Sequence, residues 1–279
     1  MADPSTGGEY VHGTDQTEQA RLALMNGILN ARTLAEIPIR AGDRILDIGS
    51  GLGQMSIAMA KVSGRSGRVL GIERSTEQIA KAAASRDEAG LTAEQVEFRQ
   101  GDALRPPFQE GERNTFDLAF TRFLLEHVPE PLAVVKQMVQ AVRPGGKIVL
   151  ADDDHEVLRL HPEPAGMRRV WNAYMSLYER VGNDPLVGRR VVQLLHEAGA
   201  KPVRNTWVWF GACSGNELFE PTVLNLIGVL RGASERMIAE KLITAPEMDA
   251  FFASMQEFAQ RPDAAVWFSM ALAEGVRPA

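Results

Sequence analysis

The sequence predicts an α/β protein built on a doubly wound, mostly parallel sheet. Three observations predict it. Short apolar runs alternate with helical patterns from residue 44 to residue 152, and strands separated by helices of that length make parallel crossover units. A glycine-rich turn joins the first apolar run to the helix behind it. Acidic residues, Asp47 and Glu73, stand at the ends of the first two runs, on the edge where open α/β sheets bind ligands.

The elements follow in order. Residues 1–9 are small and polar and read as a tail. Thr14 and Asp15 suit the N-cap of a helix over 16–36, with Ala20, Leu24, Ile28, Ala31 and Ala35 on one face. Strands are predicted at 44–48, 68–73, 95–100, 116–121 and 147–152, and helices at 52–62, 76–90 and 130–142. The regularity breaks after Asp152. Helices are predicted at 165–181 and 188–199, and a strand at 203–212. Residues 213–262 read as mostly helical, and 264–275 as the last strand. The chain thus divides into a tail and cap helix (1–36), a core (37–152) and a remainder (153–279). Inserts at 153–186 and 213–262 are expected to cap the sheet's edge together with the N-terminal helix. Their aromatic and Met positions, Trp171, Tyr174, Met175, Tyr178, Phe219, Phe251, Phe252, Met255 and Phe258, read as core, with a few lining an apolar pocket.

Composition narrows the function. The 279 residues are 45% hydrophobic and 24% charged, ordinary for a globular protein. The net charge of −6 disfavours steering toward nucleic acid or an anionic membrane. The one cysteine, Cys213, allows neither an internal disulfide nor a Cys-rich zinc site. No signal-peptide pattern and no apolar run of about 20 residues is found, so a cytoplasmic location is expected. An apolar cap face would also serve as a subunit interface, which makes a homo-oligomer an expectation to carry.

The most informative run is Asp47-Ile48-Gly49-Ser50-Gly51-Leu52-Gly53-Gln54. Missing Cβ atoms let such a loop turn sharply and approach a ligand, and the helix behind it offers free N–H donors. The spacing is GxGxG rather than the GxGxxG of dinucleotide sites. Asp47 would repel a pyrophosphate but suit a ligand carrying an ammonium or sulfonium. Glu73, ending the second strand, can accept from both hydroxyls of a ribose. Asp102, after Gly101 and before Ala103, can accept from an adenine amino group. Thr121-Arg122-Phe123-Leu124-Leu125-Glu126-His127 follows the fourth strand, and Arg143-Pro144-Gly145-Gly146 is a turn feeding the fifth.

ILDIGSGLGQ, VLGIERS, GDA, FDLAFTRFLLEHV and VRPGGKIVL, in that order over residues 40–152, resemble the motif set of class I S-adenosylmethionine-dependent methyltransferases. Within that family the chain looks like the small-molecule branch typified by ubiquinone and menaquinone methyltransferases. The resemblance implies a seven-stranded Rossmann-like sheet with an antiparallel last strand. It implies S-adenosyl-L-methionine as cofactor, S-adenosyl-L-homocysteine as product, and a small, partly hydrophobic acceptor methylated at carbon, nitrogen or oxygen. Carried over, Asp47, Gly49, Ser50, Gly51, Gly53 and Gln54 would face the methionine part of the cofactor. Glu73 and its neighbour Arg74 would hold the ribose, and Asp102 with Ala103 the adenine. Gln78 would line the adenine pocket, and Thr121 and Arg122 would border the cofactor's carboxylate or the acceptor. Arg122, where many relatives carry a small or polar residue, and the insert at 213–262 depart from the simplest pattern. Tyr10, in a stretch resembling the entry helix of some bacterial small-molecule methyltransferases, would close over the site.

Asp152-Asp153-Asp154-His155 follows the fifth strand, where an acceptor should bind. Successive residues on an extended chain point to opposite faces, so the four cannot all converge, and no metal is expected. His155 is the candidate to orient the acceptor or take its proton. Three other chemistries stand beside methyl transfer. They are aminopropyl transfer or cyclisation on the same fold, an NAD-dependent dehydrogenase with Glu73 on the ribose, and a non-catalytic subunit.

Overall fold

The computed structural model describes residue 27 and residues 29–279. Tyr10 and most of the helix predicted over 16–36 lie outside the described residues. The described end of that helix, α1, runs over 29–36.

The periodicity resolves into strands close to where the apolar runs predict them. These are β1 (Arg44–Ile48), β2 (Arg68–Glu73), β3 (Val96–Gln100), β4 (Phe116–Arg122) and β5 (Val142–Asp153). Between them lie α2 (Gln54–Ser63), α3 (Thr76–Glu88) and α4 (Pro131–Ala141). After β5 come a short strand β6 (Arg159–His161), α5 (Met167–Arg180), α6 (Val191–Glu197) and the long β7 (Lys201–Cys213). Two helices, α7 (Phe219–Ala239) and α8 (Ala245–Ala259), precede β8 (Ala265–Val276).

Among the described residues, eight strands join one sheet in the order β3-β2-β1-β4-β5-β8, with β6 and β7 each paired to β8. The pairs among β1–β5 are parallel, and β8 runs antiparallel to β5, β6 and β7. The sheet therefore has eight strands rather than seven. The additional β6 is three residues long, too short to show an alternation. The Arg143–Gly146 turn falls within the bounds of β5. Phe116 pairs Val142 but Leu118 pairs Lys147, so the intervening residues bulge out, with Gly145 at φ 77°.

β1 lies between β2 and β4, so the chain's crossovers leave it in opposite directions and open a crevice beyond the strand ends there. Alternation along β1 divides the core. Ile45 faces one layer with Met55 and Met59 of α2 and with Ile37. Leu46 and Ile48 face the other, with Val134, Val135 and Met138 of α4 and Leu194 and Leu195 of α6. A third core belongs to the cap. Tyr174, Tyr178, Leu230, Phe251, Met255 and Phe258 of α5, α7 and α8 pack together, so most of the aromatic and Met positions are core as predicted.

Candidate functional site

The loop after β1 is shaped by backbone. Gly49, Gly51 and Gly53 take φ of 78°, 54° and 75°, values that L side chains rarely adopt. The third glycine also serves packing. A Cβ on Gly53 would stand 2.5 Å from Phe98 Cζ and 2.8 Å from Ala82 Cβ, so only glycine lets α2 start this close to β3 and α3. Gly49 and Ser50 donate their N–H groups to Ile72 O at 2.8 and 3.1 Å, which fastens the loop to the end of β2.

Glu73 stands at the centre of this arrangement. Its Oε2 accepts from Gly51 N at 3.1 Å and its Oε1 from Ser75 N at 2.8 Å. Each oxygen keeps a second lone pair. Gly101 N donates to Glu73 O at 2.9 Å, which brings Asp102 and Ala103 beside it. Gln78 Oε1 lies 3.5 Å from where a Gly51 Cβ would stand. The structure thus brings Glu73, Gly51, Gln78, Asp102 and Ala103 to one place. Asp102 is exposed and shapes its own turn by accepting from Leu104 N at 2.9 Å. Arg74 is exposed, and its carbonyl accepts from Gln100.

Asp47 is 2% exposed and accepts from Ser56 Oγ at 2.5 Å. Burial pushes its carboxyl up to about 6, against the Ser56 hydrogen bond and the Arg122 charge, while Glu73 adds to the rise. Arg122 is half-buried; burial pulls it down to about 10, while Asp47 and Asp153 oppose the fall. It donates to Asn30 Oδ1 at 2.8 Å and to Thr33 Oγ1 at 3.4 Å, and Gln54 Oε1 accepts from Asn30 Nδ2 at 3.3 Å. Arg122 and Gln54 therefore clamp α1 over the loop. Thr121 has a structural partner. Its buried hydroxyl donates to Ile48 O at 2.8 Å and braces β4 against β1. The Ser50 hydroxyl is buried without a hydrogen-bond partner and lies 2.8 Å from where a Cβ on Gly71 would stand, so it faces β2.

The acids after β5 part company, as their alternation predicts. Asp152 accepts from Leu124 N, Leu125 N and Asp153 N at 3.1, 2.7 and 3.0 Å and so shapes the turn after β4. Asp154 accepts twice from Arg189, at 2.8 and 2.7 Å. Asp153 and His155 instead turn toward Glu126, and one donor atom from each of the three lies within 4.8 Å of the others. Burial, reinforced by Glu126, holds both the Asp152 and Asp153 carboxyls well above the usual carboxylate range. His155 Nε2 is 3.1 Å from Glu126 Oε2, and its ring stacks on Tyr174 and meets Tyr178 edge-on. Trp171 Nε1 donates to its backbone oxygen at 2.7 Å. Burial lowers the neighbouring His127 below the ordinary imidazole value.

Two participants went unrecognised in the sequence: Ser56 and Asn30 carry local signals, polar residues on helix faces turned to the sheet. Glu126 stands in the run singled out after the fourth strand, but only the tertiary fold sets it against residues 153 and 155. Cys213 is an exposed free thiol on β7.

Residues 39–218 match the methyltransferase domain family, well over half of the chain. The chain is 28% identical over 205 residues to a demethylmenaquinone methyltransferase of Oceanobacillus iheyensis, covering 71% of this chain and 79% of that protein. It is 32% identical over 167 residues to the 27-O-demethylrifamycin SV methyltransferase of Amycolatopsis mediterranei, covering 60% and 57%. A solved structure of a putative methyltransferase from Bacillus halodurans shares the fold at a TM-score of 0.59 and 17% identity, over 90% of this chain and 99% of that one. Among the described residues no helix is long and apolar enough to cross a membrane. Loop, acids and relatives agree: the chain belongs to the methyltransferase domain family and is a class I S-adenosylmethionine-dependent methyltransferase.

Proposed function

We propose that the enzyme methylates a small, partly hydrophobic metabolite, with the cofactor held across the carboxyl ends of β1, β2 and β3 and the acceptor beyond β4 and β5. The observation that carries the cofactor assignment is Glu73. Its two oxygens each hold one loop N–H and keep a lone pair, the donor set that two ribose hydroxyls need. The glycine loop leaves a cradle that side chains would fill, and Asp47 supplies negative charge for a cationic methionine end. The residues present therefore fit S-adenosylmethionine.

When bound, that cofactor supplies a methyl group already activated on sulfur, and S-adenosylhomocysteine remains after transfer. The protein's share is alignment. Asp47, Gly49, Ser50, Gly51, Gly53 and Gln54 border the methionine end, Glu73 and Arg74 the ribose, and Asp102, Ala103 and Gln78 the adenine. Thr121 braces the loop's base, and Arg122 sets the charge between cofactor and acceptor. Holding two reactants in line lowers a barrier by about 7–11 kcal/mol in favourable cases. On the acceptor side His155 is the group to orient the acceptor or accept its proton; Tyr10, the other residue expected there, lies outside the described residues. The relatives' substrates, a demethylmenaquinone and a demethylrifamycin, support a small and partly apolar acceptor. The net charge of −6 argues against a nucleic-acid partner. We expect a cytoplasmic enzyme, with self-association through the cap as its partner chemistry.

Titration calorimetry tests the cofactor site. The full chain is expected to bind S-adenosylhomocysteine and not NADH. Glu73→Ala is expected to weaken S-adenosylhomocysteine by about 10- to 100-fold while the protein stays folded, the effect of losing hydrogen bonds to a charged acceptor. Unchanged affinity in that variant refutes the ribose assignment, and binding of NADH alone refutes the proposal.

A further inference from the structure

The trio at the end of β5 has the spacing of a metal site. Glu126 Oε2 and His155 Nε2 are 3.1 Å apart. Ligands on adjacent corners of an octahedral ion, each about 2.1 Å from it, stand about 3 Å from one another. Asp153 completes the group, its donor atom within 4.8 Å of the other two. Glu126 and His155 are 4% exposed. Asp153 Oδ1 is buried with no hydrogen-bond partner, although buried carboxylate oxygens normally accept one. The side chain of Asn183, whose neighbour Asp184 donates its N–H to Glu126 O, is likewise buried with both polar atoms unpartnered.

The neighbouring acids are taken up elsewhere. Asp154 accepts from Arg189, and Asp152 from three backbone N–H groups. Asp153 Oδ1 has no such donor.

We propose that Glu126, Asp153 and His155 bind one divalent cation. Two carboxylates and an imidazole suit an ion such as Mn²⁺, which takes oxygen donors in octahedral geometry and accepts a nitrogen among them. Three protein donors leave positions open, the pattern of catalytic rather than structural sites. The open positions would take an acceptor that offers oxygen, a hydroxyl or a hydroxyl beside a second oxygen. The acceptor's oxygen rests on the methyltransferase reading; the cation site does not. The surroundings brace the histidine as outer groups brace a ligand, with Trp171 holding its carbonyl and Tyr174 stacked on its ring. Two of the ligands are the alternate members of the Asp152–His155 run, and the third comes from the turn after β4.

The test uses the full chain, stripped with a chelator and titrated with Mn²⁺, the free ion being read by electron paramagnetic resonance. One Mn²⁺ per chain is expected to bind. Asp153→Asn and Glu126→Gln are each expected to weaken it by about 100-fold or more. Glu156→Gln, an exposed change beside the group, is expected to leave it unaltered. S-adenosylhomocysteine titrated into the same samples reports that each variant is folded, and His155→Gln carries the test where one is not. No saturable binding by the wild type overturns the cation site, as does equal affinity in both ligand variants. In the wild type, S-adenosylhomocysteine binding without metal binding refutes the cation site alone. Metal binding without nucleotide binding refutes the cofactor reading alone.

Discussion

The carboxyl edge of the sheet treats its acids in two ways. Beyond β1–β3, Glu73 is met by backbone N–H groups and Asp47 by a serine hydroxyl. Beyond β4 and β5, Glu126 and Asp153 face each other and a histidine, buried and without such donors for Asp153 Oδ1. The first end joins the loop after β1, Glu73 and the turn after β3, and backbone N–H groups hold them together. The second joins Glu126, Asp153 and His155 through side chains.

The largest effect is expected where the first end depends on backbone alone. Gly53→Ala forces a side chain into φ 75° and against Phe98 and Ala82. It should cost about 4 kcal/mol from strain and overpacking together, read by chemical denaturation. A loss below about 1 kcal/mol would mean that the loop is not preformed by packing. Next comes Asp47. Its folded carboxyl titrates above its unfolded value, so its contribution is full below 3.8 and is lost as pH rises through about 6. The ligand-free wild type should lose on the order of 3 kcal/mol across that window relative to Asp47→Asn, which lacks the group. Parallel stability curves for the two proteins would place Asp47 in contact with solvent and erase the contrast. The smallest effect belongs to Thr121→Val. It removes one buried hydrogen bond to Ile48 O and should cost about 1 kcal/mol with no change in S-adenosylhomocysteine affinity. A tenfold loss of that affinity, about 1.4 kcal/mol, would return Thr121 to the cofactor.

The same division decides what the sequence makes legible. β1 and β2 begin and end where their apolar runs predict, and β3 and β4 within one residue, because each buried strand is a local pattern flanked by turn residues. The glycine loop and Glu73 were legible for the same reason, each standing at the end of such a strand. Two of the polar residues also have structural partners: Thr121 braces a strand, and Asp102 shapes a turn with one of its oxygens. β6 was invisible because pairing with β8, not its own three residues, makes it a strand. Of the run 152–155, alternation separated Asp153 from Asp152 and Asp154 in advance. It could not supply Glu126, whose place is set by the turn that Asp152 holds.

Among the described residues three buried cores stand apart: one lies on each face of the sheet and the third mostly within α5, α7 and α8. The cap meets the sheet through Leu160 of β6, Ala212 of β7 and Val266 of β8, and its Tyr174 and Tyr178 pack on His155. Cooperative unfolding requires that the loss of one part remove the support of the rest, and this seam is smaller than the core within the cap. Native-state hydrogen exchange should therefore sort the amides into two populations, with α5, α7 and α8 opening as one unit. Heat would melt this protein in stages, and a single midpoint would average two different events.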